Sequence, residues 1–268
     1  MASPSQSAPN DPLAEALREN QELRNALAQI QADYQAAQEK LRQQMAAADS
    51  ATQQLQQFLY AATHDLQEPL RGIITYAQLL DRQFVADPAT HEFTTFLLGG
   101  ALRMRDMLQQ LLIYSRAGSA KHKKVINLNV PLQMALLKLD PQIRSSGAHI
   151  VRESLPQAIG DETEIMQLFE HILSNAIKFR SETPLQVKIT AEQGTDECTV
   201  TLSDNGLGID PRFCEQVLLP FKRLHGNGIP GSGLGLAICQ KILRAHHGRI
   251  WLQSDGQLGT TVSFTLPA

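Results

Sequence analysis

The chain has 268 residues, 43% hydrophobic and 19% charged, the balance of a soluble globular protein with one or two cores. A formal charge of −3 excludes, as a global property, wrapping of nucleic acid or lying on an anionic membrane, so any phosphate binding has to be local. Three cysteines (Cys198, Cys214 and Cys239), odd in number and without C-x-x-C or Cys/His spacing, argue against a disulfide frame or a zinc site and for buried thiols in a reducing compartment.

The opening "MASPSQSAPNDP", residues 1–12, reads as disordered and lacks the basic-then-apolar form of a signal peptide. No later run approaches the ~18 apolar residues of a membrane span, so a cytoplasmic chain is expected. From Leu13 apolar residues recur at heptad spacing: with Leu13 at position a, the next seam residues are Ala16, Asn20, Leu23, Leu27, Ile30, Tyr34, Ala37, Leu41, Gln44, Ala48, Ala51, Leu55 and Phe58. The period predicts a coiled coil over 13–57, with Asn20 at an a position favouring a parallel pair; the alternative is a solvated Ala/Gln-rich single helix.

The helical pattern continues through Leu59, Ala62, Leu66, Ile73, Ala77, Leu80 and Phe84 to a turn at "VADPAT". A second helix carries Phe93, Leu97, Met104, Leu108, Leu111 and Tyr114 on one face and ends at "SRAGSAKHKK", where Gly118 and a basic run signal a stop and a linker, 118–124. Two helices joined by a turn over 58–117 predict an antiparallel hairpin, and two hairpins predict a dimeric four-helix bundle. From Val125 strands alternate with helices: strands at 125–129, 148–153, 185–193, 197–204, 248–254 and 260–267, helices near 131–145, 161–180, 211–218 and 233–247. Residues 125–268 thus form a second domain, and the chain is α+β.

Within the first long helix, "YAATHDLQEPLR" places His64 about 200° from the apolar Ala62 and Leu66, facing water. Asp65 can accept from Nδ1–H, which leaves the lone pair on Nε2 and stabilises positive charge as Nε2 attacks an electrophile. Pro69 removes the N–H that would bond the carbonyl of residue 65, so the helix is expected to bend or loosen one turn later. In the second domain "LSDNGLGID" ends a strand at Asp204 before Gly206 and Gly208, and Gly231, Gly233 and Gly235 of "GSGLGLAIC" lead into a helix. Glycines before a helix let N–H groups approach phosphate; a flexible loop with a helix start is the other reading. In "FEHILSNAIKF", Asn175 and Lys178 share a helix face, an amide oxygen suited to Mg2+ and an ammonium suited to phosphate.

Taken in order, these motifs resemble the catalytic core of a sensor histidine kinase of a two-component system over residues 55–268. "HDLQEPLR" is similar to the phosphoacceptor box in its phytochrome-like variant, "SNAIKFR" to the asparagine box and "DNGLGID" to the first glycine box. "PFKRLH" resembles the phenylalanine-containing box, "GSGLGLAIC" the second glycine box, and "GTTVSFTLP" the closing strand motif. The resemblance implies a Bergerat-type α/β sandwich binding ATP and Mg2+ after a dimerising helical hairpin, a homodimer, and a response-regulator receiver domain as partner, with signal arriving from an upstream sensor domain or protein.

By the same resemblance His64 is the phosphorylated nucleophile and Asp65 its orienting acid or base. Asn175 is the Mg2+ ligand, Lys178 a phosphate or lid contact, Asp204 the acceptor for the adenine amino group, and Thr260 an adenine contact. Gly206, Gly208, Gly231, Gly233 and Gly235 shape the lid and phosphate cradle, and in a short lid over 222–230 Arg223 meets charge on the transferring phosphoryl group. Two positions depart from the pattern. His171 replaces an asparagine one turn before Asn175, and Glu68 stands where strong phosphatases of the family carry Thr or Asn. A pseudokinase or signalling adaptor that binds ATP without efficient transfer is the alternative, and an ATPase clamp is a third reading that His64 and Asp65 argue against.

Overall fold

The computed structural model describes residues 12–83, 88–120, 123–224, 229 and 231–268. The expectations for 1–11, for much of the turn after residue 83, for linker residues 121–122 and for lid residues 225–228 and 230 lie outside them. The chain divides into two units, 1–57 and 58–268.

In the first unit helix α1 (Pro12–Gln83) runs through Ala-, Gln-, Glu- and Leu-rich sequence, all strong helix formers. Bonds one turn apart, Gln29 to Asp33 and Gln43 to Glu39, decorate its surface. The heptad residues Leu23, Leu27, Ile30, Tyr34, Leu41 and Leu55 all stand exposed.

The second unit begins with the rest of α1, which pairs antiparallel with α2 (Pro88–Arg116). Contacts at both ends fix the pairing: Asp81 of α1 meets Thr94 and His91 of α2, and the Arg116 guanidinium lies 4.9 Å over the Tyr60 ring. The buried seam shares Ala77 with the apolar stripe expected from the sequence and otherwise differs from it. Thr63, Leu70 and Ala77, each seven apart, are buried, as are Thr94, Ala101 and Ser115 of α2. Small and hydroxyl side chains let the two backbones approach, and Thr63 and Thr94 satisfy their hydroxyls on carbonyls one turn back. Leu66, Ile73, Leu80, Phe93, Leu97 and Met104, the residues with the strongest apolar signal, are exposed instead. Pro69 does not end the helix; α1 is assigned through it, with the Asp65 carbonyl lacking its usual donor.

Asp81 ties the far end of the hairpin. Its carboxylate accepts from Thr94 Oγ1 at 2.6 Å and pairs with His91 Nδ1 at 2.8 Å, and these partners, Thr94 foremost, hold its pKa below the ordinary carboxylate range. A depressed folded pKa contributes stability that is present above the unfolded pKa and lost as pH falls through the folded one. Acidification below about pH 4 is therefore expected to loosen this end of the hairpin, given the usual carboxylate pKa. Helix content followed by circular dichroism should show a shallower acid transition in Asp81→Asn than in the parent; identical transitions would remove Asp81 from the account.

Residues 124–268 form an α/β sandwich. A five-stranded sheet runs β2 (His149–Arg152), β4 (Gln186–Gln193), β5 (Glu197–Asp204), β7 (Thr261–Pro267), β6 (Ile250–Gln253), with β2 parallel to β4 and the other neighbours antiparallel. A separate antiparallel ladder joins β1 (Lys124–Asn127) to β3 (Gln157–Gly160). Alternate residues of β4 and β5 are buried, and Val187, Ile189, Val200 and Leu202 share one core with Ile165, Leu168, Phe169 and Ile172 of α4 (Glu162–Lys178). Phe169 meets Phe264 of β7 edge to face, centroids 5.7 Å apart. Helix α3 (Asn129–Ser146) and α5 (Gly235–Ala245) complete the helical layer. Cys198 and Cys239 are buried in this core as free thiols, and Cys214 is half-buried and free.

Two corrections concern short elements. Strand β3 carries no signal of its own: its four residues, Gln157–Gly160, are too few to set a period, and only its distant ladder with β1 makes it a strand. The helix expected over 211–218 is two 3-10 turns, Pro211–Phe213 and Gln216–Leu218. Asp210 caps the first by accepting from Arg212 N, and a stretch this short, closed by Pro220, cannot complete a stable α-helix.

Candidate functional site

His64 lies on α1 with its side chain 71% exposed, and its Nδ1 is 3.3 Å from Asp65 Oδ1. The pairing assigns the Nδ1 proton to the aspartate contact and leaves Nε2 as the free nitrogen. No hydrogen bond among the described residues joins His64 to any group but Asp65. Glu68, one turn further on and also exposed, shares the same helix face.

The glycine-rich part of the site is built where β5 ends. Asp204 Oδ1 accepts from Gly206 N at 2.8 Å and from Thr260 N at 3.2 Å, and Asp204 N donates to Thr260 O at 2.9 Å. Both N–H groups go to one oxygen, so Oδ2 is left for an outside donor in a pocket of about 370 Å³ lined also by Gln253, Ser254, Leu258, Gly259 and Thr261. Burial pushes the Asp204 pKa up, opposed by the two N–H bonds. Gly206 is required by crowding: a Cβ there would stand 2.6 Å from the Phe179 carbonyl oxygen. That carbonyl accepts from Leu207 N, which ties the loop to the end of α4.

Three residues given no role of their own in the sequence analysis hold this pocket. Gly259, with φ +96°, packs its α-carbon onto the Asp204 backbone, where a Cβ would collide with the Asp204 carbonyl. Ser254 Oγ donates to Gly259 O at 2.6 Å and accepts from Ile209 N at 2.8 Å, joining β6 to the first glycine loop. Asn205 Oδ1 accepts from Gln186 N at 2.7 Å while its Nδ2 donates to Pro184 O, binding the end of β5 to the start of β4. The Gly259–Thr260 pair was visible in the sequence; the serine and asparagine act through backbone bonds that no spacing announces.

A second cluster is cationic. The Lys178 ammonium lies where a Cβ on Gly231 would fall, and burial and then the neighbouring Arg223 charge lower the Lys178 pKa. Arg223 donates to Ile229 O at 2.7 Å. Two cations brought together on a glycine-rich loop suit an anion, which would relieve their repulsion. Gly233, φ +73°, packs against the backbone of Phe221 and Lys222 and accepts from Phe221 N.

The third cluster is the start of α5. A Cβ on Gly235 would stand 3.5 Å from His171 Nδ1 and 4.0 Å from Asn175 Nδ2, so both side chains of α4 face the first residue of α5. Burial drives the His171 pKa down, with Glu170 opposing, which favours the neutral imidazole. The structure thus brings together Asp204, Gly206 and Thr260, then Lys178, Arg223 and Gly231, then Asn175 and Gly235. Gly208, φ +74°, lies against Gln257 and Gly256 beside the first of these.

Residues 54–120 match the His Kinase A (phospho-acceptor) domain, and residues 160–268 match the Histidine kinase-, DNA gyrase B-, and HSP90-like ATPase domain. The chain carries the catalytic core of a sensor histidine kinase. Cyanobacterial phytochrome A of Nostoc sp. is 40% identical to this kinase core over 218 residues, covering 80% of the chain and 28% of the relative. Phytochrome-like protein Cph1 of Synechocystis sp. is 35% identical over 217 residues, covering 80% and 29%. The core therefore spans under a third of the length of these curated relatives. Among solved structures, full-length ShkA in complex with AMPPNP matches with a TM-score of 0.60 at 22% identity, covering 78% of this chain and 45% of its own, a likeness of fold.

Proposed function

We propose that the chain is an ATP-dependent protein histidine kinase that phosphorylates His64 and passes the phosphoryl group to an aspartate of a response-regulator receiver domain. The observation that carries this reading is the His64–Asp65 pair, which leaves an uncovered Nε2 on the chain that also holds the Asp204 pocket. Asp204 Oδ2 accepts from the adenine amino group, with Thr260 holding the carboxylate through its backbone N–H. Lys178 and Arg223 meet polyphosphate charge, and Gly206, Gly208, Gly231, Gly233 and Gly235 let the backbone approach it.

Asn175 offers one neutral oxygen, and among the described residues no three His, Cys, Asp or Glu side chains gather as a metal cage. That donor set fits Mg2+ held mainly by substrate phosphates and water, and Asn175 would hold the ion, which supplies charge neutralisation at the phosphates. In the transfer the Nε2 lone pair forms the N–P bond as the bond from phosphorus to the ADP oxygen breaks and ADP takes that electron pair. Asp65 keeps the Nδ1 proton in its hydrogen bond and stabilises the positive ring, then receives that proton or passes it to solvent. Incubation with γ-labelled ATP is expected to give acid-labile, base-stable label; nucleotide binding without label would leave the adaptor reading standing instead.

The exposed stripe of Leu66, Ile73, Leu80, Phe93 and Leu97 supports a homodimer closed as a four-helix bundle. Residues 13–57 form a parallel coiled coil that takes its signal from an upstream sensor domain or protein. On this reading 58–117 is the phosphotransfer hairpin, 118–124 the linker and 125–268 the ATP-binding domain, in a cytoplasmic chain; no described helix is long and apolar enough to cross a membrane. The receiver partner is supported by ThkA, a structure of similar fold that was solved in complex with the response regulator TrrA (TM-score 0.54, 22% identity, 77% of this chain and 61% of that one).

Glu68 sets the direction of this chemistry. Its carboxylate shares a face with His64 and opposes a phosphoryl group there, and it offers an attacking water only an acceptor. Replacing Glu68 by Asn or Thr is expected to raise regulator dephosphorylation several-fold while autophosphorylation persists. Rapid loss of regulator phosphate with the parent chain would show that Glu68 does not have this role.

A further inference from the structure

The hairpin's second helix is fastened to the ATP-binding domain along its exit. Lys241 of α5 donates to Tyr114 O at 2.8 Å and Ser115 O at 3.0 Å, carbonyls in the last turn of α2. Its ammonium also lies 5.0 Å from the Tyr114 ring centroid. Two residues past the helix Gly118, φ +74°, packs so closely on α5 that a Cβ would stand 2.8 Å from Ala245 Cβ and 3.0 Å from Lys241 O. Ala120 N then donates to Glu164 Oε1 of α4 at 3.3 Å, and Lys123 Nζ donates to Ala245 O.

The fastening uses the C-terminal half of α5, with Lys241 about 9 Å from Gly235 at 1.5 Å per residue. Gly235, at the phosphate cradle, opens that helix and Ala245 closes it, about 15 Å away at 1.5 Å per residue. His64 lies one turn beyond Tyr60, whose ring stacks with Arg116 at the fastened end of α2. The histidine is thus level with the joint, yet its side chain is 71% exposed and, among the described residues, hydrogen-bonded only to Asp65. Transfer needs phosphorus within roughly 3–3.5 Å of Nε2, which covers the ring. Glu164, which receives Ala120 N on Oε1, keeps its buried Oε2 without a hydrogen bond, 3.7 Å from His246 Nδ1 of its own domain.

We propose that Lys241 is a latch that holds the ATP-binding domain in a resting arrangement, and that its release from the Tyr114 and Ser115 carbonyls is a required step in His64 phosphorylation. The inference rests on the kinase reading above. Lys241 touches none of the groups assigned to nucleotide, so a change in it acts through the arrangement of the domains.

The test uses the full chain. Lys241→Met keeps the apolar stem and removes the donors, Gly118→Ala forces the same joint apart from the other side, and Lys241→Arg keeps two donors. Initial autophosphorylation rate at saturating ATP, affinity for a fluorescent ATP analogue, and amide hydrogen exchange over residues 117–120 are read together. Lys241→Met and Gly118→Ala are expected to speed exchange over 117–120 and raise the rate at least three-fold at unchanged nucleotide affinity, with Lys241→Arg near the parent. Exchange speeded without a faster rate, or unchanged exchange in both opening variants, overturns the latch and leaves the kinase reading intact. Absence of label on every protein, the parent included, sinks the kinase reading and the latch with it.

Discussion

His64→Gln is expected to abolish autophosphorylation while nucleotide affinity stays within a few fold of the parent. The glutamine amide has no basic lone pair to attack phosphorus, so the loss is complete and does not depend on pH. Folding should be untouched, because the side chain is mostly exposed and its bond to the neighbouring Asp65 is a surface pair worth about 0–1 kcal/mol at most. Affinity is preserved because the Asp204 pocket is built from β5, β6 and the start of β7, none of which contacts the histidine. Label from γ-labelled ATP and binding of a fluorescent analogue give the two readouts. Label persisting on the variant would move the acceptor elsewhere, and His91, whose Nδ1 is held 2.8 Å from Asp81 in the same fashion, would be the first residue to replace.

The parts of this core that sequence made legible are those in which one residue type is forced by local backbone or local chemistry. Helix α3 ends at Gly147, which adopts φ +64° and donates to the carbonyls of Arg144 and Ile143. Helix α4 begins at Asp161, which accepts from Thr163 N and Glu164 N at 3.0 Å each. His64 with Asp65, and Asp204 before two glycines, belong to the same class, since their neighbours along the chain are their partners in space.

What stayed hidden depends on partners far along the chain. Strand β3 exists through β1, and Ser254 matters through Ile209 and Gly259. Lys241 reads as the polar side of an amphipathic helix until the carbonyls of Tyr114 and Ser115, more than a hundred residues earlier, come within 3.0 Å. The hairpin misled for another reason. Its internal seam is mostly small residues, Thr63, Ala77, Thr94 and Ala101 with Leu70 among them, which do not dominate a hydropathy pattern, while Leu66, Ile73, Leu80, Phe93 and Leu97 lie on the exposed face. Periodicity found one apolar stripe of α1 and did not pick out Thr63 and Leu70, which close on α2 beside Ala77.

Asp204→Asn is expected to weaken ATP binding roughly 10- to 100-fold, the equivalent of the 1.5–3 kcal/mol carried by a hydrogen bond to a charged group. An asparagine cannot satisfy both sides of this site. With its oxygen toward Gly206 N and Thr260 N, where Asp204 Oδ1 accepts at 2.8 and 3.2 Å, its NH2 points into the pocket and meets the adenine amino group donor to donor. Turned over, it accepts from adenine but sets its NH2 against two backbone N–H groups. The first orientation keeps the loop intact and offers a donor to the O6 acceptor of guanine, so the preference for ATP over GTP should narrow as affinity for ATP falls. A pH series gives an independent check on the parent chain. Burial raises the Asp204 pKa, so protonation, which removes the acceptor charge, sets in at higher pH than for an ordinary carboxylate, and ATP affinity should decline as pH falls through that point. In Asp204→Asn that decline should vanish. Calorimetric titration of both proteins with ATP and GTP across the acid range reads all three effects, and unchanged ATP affinity in the variant would place adenine in another pocket.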